Sequence, residues 1–249
     1  MPLPPVLFED DALIAFAKPG SLAMAPDRQQ PGENLLDLVR AAYGADTANV
    51  HRLEPDTSGV VLYAKTKVAL DFLSGQFQSK TAGKTYHVLT VGLPTDDRFT
   101  VELFMKEDEG RPGRMCVVKK HGLASLTEFA VLEKFPQPAG RPGFALVEAR
   151  PVTSRPHQIR LHLAERGAPV LNDALYGDAT ALLLSGLKRG YKGRDDEKPL
   201  ITRLAVHAAA LTFRHPLTRE PFTVEAPPDK DFEVALKYLR KFAAGAGRR

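Results

Sequence analysis

The 249-residue chain contains a single cysteine, Cys116. One thiol excludes an intramolecular disulfide and any zinc site built from several cysteines. No apolar run reaches the roughly 18 residues that a membrane-spanning helix needs. The N-terminus, Met1-Pro2-Leu3-Pro4-Pro5, lacks both a basic n-region and a long apolar h-region, so no secretory leader is expected. The chain also lacks a phosphate loop, a dinucleotide fingerprint, a metal-ligand cluster, an internal repeat and any low-complexity tract. These absences point to a cytoplasmic protein with no membrane partner, no metal and no cofactor. Charge of one sign is scarce too: 34 Lys and Arg against 30 Asp and Glu leave a net +4. Such a balance permits a nucleic-acid partner without requiring one.

What is present is concentrated in nine residues, His51-Arg52-Leu53-Glu54-Pro55-Asp56-Thr57-Ser58-Gly59. They crowd an imidazole, a guanidinium, two carboxylates and two hydroxyls into one loop. The apolar run Val60-Val61-Leu62-Tyr63-Ala64 follows at once and reads as a buried strand. Polar groups at the edge of a buried strand sit on a rigid scaffold, which is where sites are built. Glu54 and Asp56 are two apart, so in extended chain they point to one side and can divide acid and base roles. The alternative is a plain turn, with Asp56 accepting backbone N–H groups of Thr57 or Ser58 and Glu54 solvated.

Elsewhere the pattern alternates between strands and helices. Residues 6–17 read as two short strands around an acidic turn, closed by Lys18-Pro19-Gly20. Helical spacing appears over 34–43 and 66–79, the second with Thr66 as N-cap and Leu70, Leu73 and Phe77 as its stripe. Strand-like runs follow at 84–92, 99–104, 115–118, 124–133 and 144–152, without intervening helices. A helix over 155–166, capped by Ser154, ends at Gly167. Residues 185–199 read as a polar loop, in which Lys188, Arg189, Lys192 and Arg194 surround Tyr191; the pattern fits an RNA-contacting segment and equally a solvated, flexible loop. Strands near 203–213 and 221–225 precede an amphipathic helix from Asp229, with Phe232, Leu236, Leu239 and Phe242 on its buried face. Consecutive strands with few crossovers predict an α+β fold with a mixed, mostly antiparallel sheet flanked by helices.

A second constellation is Arg155-Pro156-His157-Gln158-Ile159-Arg160-Leu161-His162. On a helix, His157, Arg160 and Leu161 share a face, so Arg160 stands beside His157 and can offer a bidentate fork to a carboxylate. His157 and His162 are five apart, a spacing that suits no metal site on one helix face.

The first loop resembles His-Arg-Leu-Asp-x-x-Thr-Ser-Gly, the signature of the RluA-type pseudouridine synthases, which isomerise uridine in RNA. The second segment resembles that family's Gly-Arg-Thr-His-Gln-Ile/Leu-Arg-x-His. Asn172-Asp173-Ala174-Leu175-Tyr176-Gly177 is similar to its Gly-Asp-x-x-Tyr-Gly, and Lys84-Thr85-Tyr86 to its Lys-x-Tyr strand. Matches at Asp11-Ala12-Leu13 through Lys18-Pro19-Gly20, and from His207 to Pro227, extend the resemblance over about residues 8–228 in order.

The resemblance implies a pseudouridine synthase fold with a central cleft, a single catalytic domain over 1–249 without a separate N-terminal RNA-binding domain, and a monomer acting on ribosomal or transfer RNA. It assigns the catalytic carboxylate to Glu54, where the family has Asp. Arg160 would keep that carboxylate ionised, Tyr86 would stack on the flipped base, and Arg52 would displace it. Further departures are Ser154 for Gly, Pro156 for Thr and Asn172 for Gly. One extra methylene at Glu54 leaves three readings: Glu54 serves, Asp56 reaches the site instead, or the fold binds RNA without isomerising it. A carboxylate hydrolase using Glu54 and Asp56 is a weaker rival, since no Ser–His pair is evident in the sequence.

Overall fold

The computed structural model of the chain describes residues 1–26, 32–188, 190, 191, 193 and 195–243. In chain order the elements are β1 (Val6–Glu9), β2 (Leu13–Lys18), α1 (Leu35–Tyr43), β3 (Ala48–Asn49), β4 (Ser58–Ala64), α2 (Lys67–Gln78), β5 (Gly83–Val91), β6 (Arg98–Glu107), β7 (Met115–Val118), β8 (Leu123–Phe135), β9 (Phe144–Pro151), α3 (Gln158–Glu165), α4 (Leu184–Leu187), β10 (Val206–Arg214), β11 (Pro221–Glu225) and α5 (Lys230–Phe242). They gather into two compact units. The first joins Met1–Tyr86 to His207–Asp229, and the second joins His87–Val206 to the chain from Lys230 onward. Among the described residues no helix is long and apolar enough to cross a membrane.

In the first unit β4 is the central strand. Its neighbours are β2, antiparallel with Leu13 opposite Ala64, and β10, parallel with His207 opposite Ser58 and Ala208 opposite Gly59. β1 extends the sheet beyond β2, β11 pairs antiparallel with β10, and β3 covers the far end of β4. Every residue of β4 is buried, as a strand covered on both faces must be. Side chains alternate across a strand, so Val60, Leu62 and Ala64 enter one core with Ala69 and Leu73 of α2, Leu211 and Phe213. Val61 and Tyr63 enter the other, with Ile14, Phe16 and the α1 residues Leu35 and Val39. Burying the fully covered Leu73 stabilises by about 2 kcal/mol. Both helices are capped as their sequences require: Asn34 accepts from the backbone N–H of Asp37, and Thr66 from that of Ala69.

The second unit is built on antiparallel pairs, β9 with β8, β8 with β6, and β6 with β7. One parallel pair beside these antiparallel ones makes the strand set mixed, as the sequence pattern predicts. On the first half of β8 the inward residues are Ser125, Thr127 and Phe129. Two of these are polar, and α3 answers them: Ser125 Oγ meets His162 Nε2 at 2.8 Å, and Thr127 Oγ1 accepts from Gln158 Nε2 at 2.9 Å.

The α3 helix starts later than its sequence pattern predicts. Its N-cap is His157, in the left-handed region at φ 54°, and Ser154 does not cap it. Gln158 anchors the helix start instead. Its Oε1 accepts from Thr153 Oγ1 and Arg155 N, and its Nε2 donates to Leu126 O and Thr127 Oγ1. All four bonding positions of the amide are used. The helix ends as expected at Gly167, φ 70°, with the Gly167 N–H on Ala164 O and the Ala168 N–H on Leu163 O. In α5, Phe232, Leu236 and Leu239 are buried as predicted, whereas Phe242 is only half-buried.

Candidate active site

The nine-residue loop is a structured lead-in to β4. Glu54-Pro55-Asp56-Thr57 forms a turn closed by the Thr57 N–H on the Glu54 carbonyl at 3.0 Å, with proline at the position its fixed φ suits. Side chains then take different environments. Arg52 and Asp56 are exposed, Glu54 is half-buried, and Leu53 is buried among Phe16, Val61 and Tyr63. Leu53 therefore plugs the core and sets Glu54 at its rim. Of the two carboxylates, Glu54 is the one the fold draws inward.

Two buried polar side chains fix this loop. Lys18 is 1% exposed and donates through Nζ to the carbonyls of Pro55 (2.7 Å), Leu22 (2.8 Å) and Pro19 (2.9 Å). The first of these carbonyls belongs to the residue after Glu54. His51 stacks on Phe77 with ring centroids 5.2 Å apart, and its Nε2 accepts the Leu62 N–H at 3.2 Å. Because Nε2 accepts, the ring proton sits on Nδ1. Burial, aided by the nearby charge of Lys84, lowers the His51 pKa to about 3, so the ring is neutral at ordinary pH. Neither anchor is assigned a role by the sequence reading. A lysine closing the apolar run Leu13-Ile14-Ala15-Phe16-Ala17 is the signal that marks Lys18 as buried.

Gly59 has a steric reason to be glycine. Its φ is 115°, and a Cβ there would lie 2.1 Å from the Ala208 carbonyl oxygen. β4 and β10 approach too closely for any side chain. The same approach brings Ser58 Oγ within 2.9 Å of His207 Nδ1 and 3.1 Å of Asp229 Oδ1, while His207 Nε2 lies 3.1 Å from the Ala226 carbonyl. A carbonyl only accepts, so Nε2 carries a proton. This Ser–His pair is invisible in sequence, where its members are 149 residues apart. Ser58 is 0% and His207 1% exposed. The pair ties β4 to β10 and is not laid out as a surface nucleophile.

Tyr86, on β5, packs against the same core cluster that holds Leu53. Burial, and secondarily the negative charge of Glu54, raise its pKa, so the phenol keeps its proton. The structure thus brings Glu54 and Tyr86 into one electrostatic neighbourhood, with Arg52 on the same loop.

Arg160 belongs to the second unit. Its Nε and Nη2 each donate to a carboxylate oxygen of Asp173 at 2.8 Å, a fork-to-fork pair with Asp173 0% exposed. Asp173 Oδ1 also accepts the N–H groups of Leu175 and Tyr176. The Arg160 guanidinium lies over the Tyr176 ring, 5.2 Å from its centroid, and that of Arg114 at 5.4 Å. The Tyr176 hydroxyl accepts the Met115 N–H at 2.7 Å and lies 3.0 Å from His157 Nδ1. His157 precedes α3 in a left-handed conformation, so it does not share a helix face with Arg160 as its spacing predicts; the two instead meet the same Tyr176, His157 at its hydroxyl and Arg160 over its ring. Asn172, where the resembling family has glycine, takes φ 63° and donates through Nδ2 to the carbonyls of Ile201 and Arg203. Asparagine tolerates the left-handed region, so this departure is accommodated.

Comparison with known proteins fits this geometry. The sequence profile of the RNA pseudouridylate synthase family matches residues 12–165. Ribosomal large subunit pseudouridine synthase C of Vibrio vulnificus is 32% identical over 247 residues, covering 94% of this chain and 69% of that one. Dual-specificity RNA pseudouridine synthase RluA of Pasteurella multocida is 33% identical over 225 residues, covering 90% and 92%. The structure of human RNA Pseudouridylate Synthase Domain Containing 4 shares the fold at TM-score 0.71 and 24% identity, over 94% of this chain and 92% of that one. A profile spanning more than half of the chain, and relatives alike along nine-tenths of it, establish that the chain belongs to the RluA-type RNA pseudouridine synthases and is an isomerase of that family.

Proposed function

We propose that the chain converts a specific uridine of ribosomal or transfer RNA to pseudouridine, with Glu54 as the working carboxylate. The reaction breaks the N1–C1′ bond, rotates the uracil and joins C5 to C1′. The C5 hydrogen leaves to solvent and N1 takes up a proton. A carboxylate can assist as nucleophile or as base, and no cofactor enters the balance. A stacked uridine hides its glycosidic bond, so the base must first leave the stack. Arg52, exposed on the loop, suits displacement of the base, and Tyr86 suits stacking against it. Arg160, whose guanidinium is fixed by Asp173, is the further site residue that the resemblance assigns.

The observation that carries the assignment is the setting of Glu54. It lies at the core rim between the plug Leu53 and the Lys18-held Pro55 carbonyl, and its charge is felt by Tyr86. A rigid mount of this kind supplies the positioning that catalysis needs. Asp56 is exposed on the same turn. The ribosomal target is favoured by the likeness to the large-subunit synthase of Vibrio vulnificus and the wider choice by that to the dual-specificity enzyme of Pasteurella multocida.

The test is tritium release from RNA labelled at uridine C5, prepared from cells lacking the gene. Glu54→Gln is expected to lower release by about a hundredfold or more, while Asp56→Asn stays near the native rate. Loss in Asp56→Asn with activity retained in Glu54→Gln would move the role to Asp56.

A further inference from the structure

In the second unit, the segment after α4 meets the last two turns of α5. Lys188 Nζ lies over the Tyr191 ring at 5.6 Å and over the Phe242 ring at 5.8 Å, and Lys241 Nζ lies over Phe242 at 5.3 Å. Tyr238 and Phe242 stack, centroids 5.8 Å apart and planes 17° from parallel. Lys188, Tyr191, Lys237 and Lys241 are exposed, and Tyr238 and Phe242 are half-buried. Arg240 on the same turns is engaged by Glu133, whereas Lys188, Lys237 and Lys241 form no salt bridge among the described residues. Of the basic loop singled out in the sequence, Arg189, Lys192 and Arg194 lie outside the described residues.

Cations in the last turn of a helix are favoured by its macrodipole, which accounts for lysines there and not for the rings between them. Hydrophobic burial accounts for Phe232, Leu236 and Leu239, and not for half-exposed Tyr238 and Phe242. The charge is also concentrated: residues 237–249 hold five cations and no acid, against +4 for the entire chain. Lysine ammoniums held over ring faces, with an exposed tyrosine beside them, match what a single-stranded polyanion with flat bases requires.

We infer that the face formed by Lys188, Tyr191, Lys237, Tyr238, Lys241 and Phe242 docks a single-stranded segment of RNA other than the reacting uridine itself. This rests on the chain acting on RNA. The lysines meet phosphates, and Tyr191 gives a base a stacking surface. The surface would contribute to affinity for the RNA and to placing it, with no part in the bond rearrangement.

The probe is fluorescein-labelled oligouridylate, titrated by anisotropy across a salt series against the full chain. Three neutralised phosphate contacts are worth about two in the slope of log K against log salt. Lys188→Gln/Lys237→Gln/Lys241→Gln is therefore expected to flatten the slope by about two and to weaken binding about tenfold or more. Tyr191→Ala is expected to weaken it about fivefold or more without changing the slope. Lys67→Gln, an exposed cation of α2 in the other unit, serves as control and leaves both unchanged. An unchanged slope in the triple variant overturns the inference, and tritium release by the native protein then shows that the catalytic reading stands without it. Native protein that neither binds oligouridylate nor releases tritium defeats both. If the native chain sediments as a dimer that the triple variant dissolves, the face joins two copies and the RNA assignment falls.

Discussion

Substituting Gly59 by alanine tests the link between the β4–β10 approach and the site loop. The added Cβ would lie 2.1 Å from the Ala208 carbonyl oxygen and 2.7 Å from its carbon and nitrogen. These are backbone atoms in a paired strand, so relief requires moving a strand and not a side-chain tip. The φ of 115° adds a conformational penalty. Strain at such a position costs about 1–3 kcal/mol and overpacking about 1–3 kcal/mol, giving roughly 2–6 kcal/mol together. Typical domains have about 5–15 kcal/mol in total. With a urea slope of about 2–3 kcal/mol/M, the midpoint is expected to fall by about 1–3 M. The chain has no tryptophan, so far-UV circular dichroism is the suitable probe. Gly44→Ala is the control, because Gly44 has a similar φ of 97° and nothing within 4 Å of its Cβ position. It isolates the strain and is expected to cost about 1–3 kcal/mol. Gly59→Ala also shifts the start of β4, and a displacement of about 1 Å at the site can cost about a hundredfold in rate. Equal effects from the two substitutions, or a native midpoint in Gly59→Ala, would refute the close approach as the reason for this glycine.

Asp173→Ala leaves the Arg160 guanidinium without its buried partner and is expected to cost about 3–5 kcal/mol in urea unfolding. Arg160→Met/Asp173→Leu should recover a large part of that loss, and a cost under about 1 kcal/mol for Asp173→Ala would show the pair to be of little structural consequence. The pKa of His51 is lowered to about 3 and that of His162 to about 4, both chiefly by burial. With unfolded values near 6.5, the unfolded chain binds more protons below that pH. The stability is full above pH 6.5 and is lost as pH falls toward the folded values, by about 1.4 kcal/mol per pH unit for each ring. Urea midpoints measured from pH 7 to pH 4 check this, and His51→Gln should remove about half of the combined acid slope. An unaltered slope in that variant would mean that the ring is protonated in the folded chain.

Most elements and the chemistry-bearing loop are legible in the sequence pattern, though the short β3 and the α4 turn inside the stretch read as a loop are not. Unbroken apolar residues over 60–64 require a strand covered on both faces, because leaving either face in water would forfeit the burial. The caps at Asn34 and Thr66 and the stop at Gly167 follow from local bonding and local φ alone. Tertiary structure decided the rest, since it depends on which strands are neighbours. Parallel pairing of β4 with β10 is what demands glycine at 59 and joins Ser58 to His207; no local pattern encodes it. Ser154 is a sound cap by type, yet α3 begins at Gln158, whose amide is held by the hydroxyls of Thr127 on β8 and of Thr153 after β9. Phe242 continues the apolar stripe of α5 but stays half-buried, its ring met by the ammoniums of Lys188 and Lys241. Asp173 shows the same limit: its place in a motif is legible, while its role as the anchor of Arg160 emerges only when residues 13 positions apart are folded onto each other.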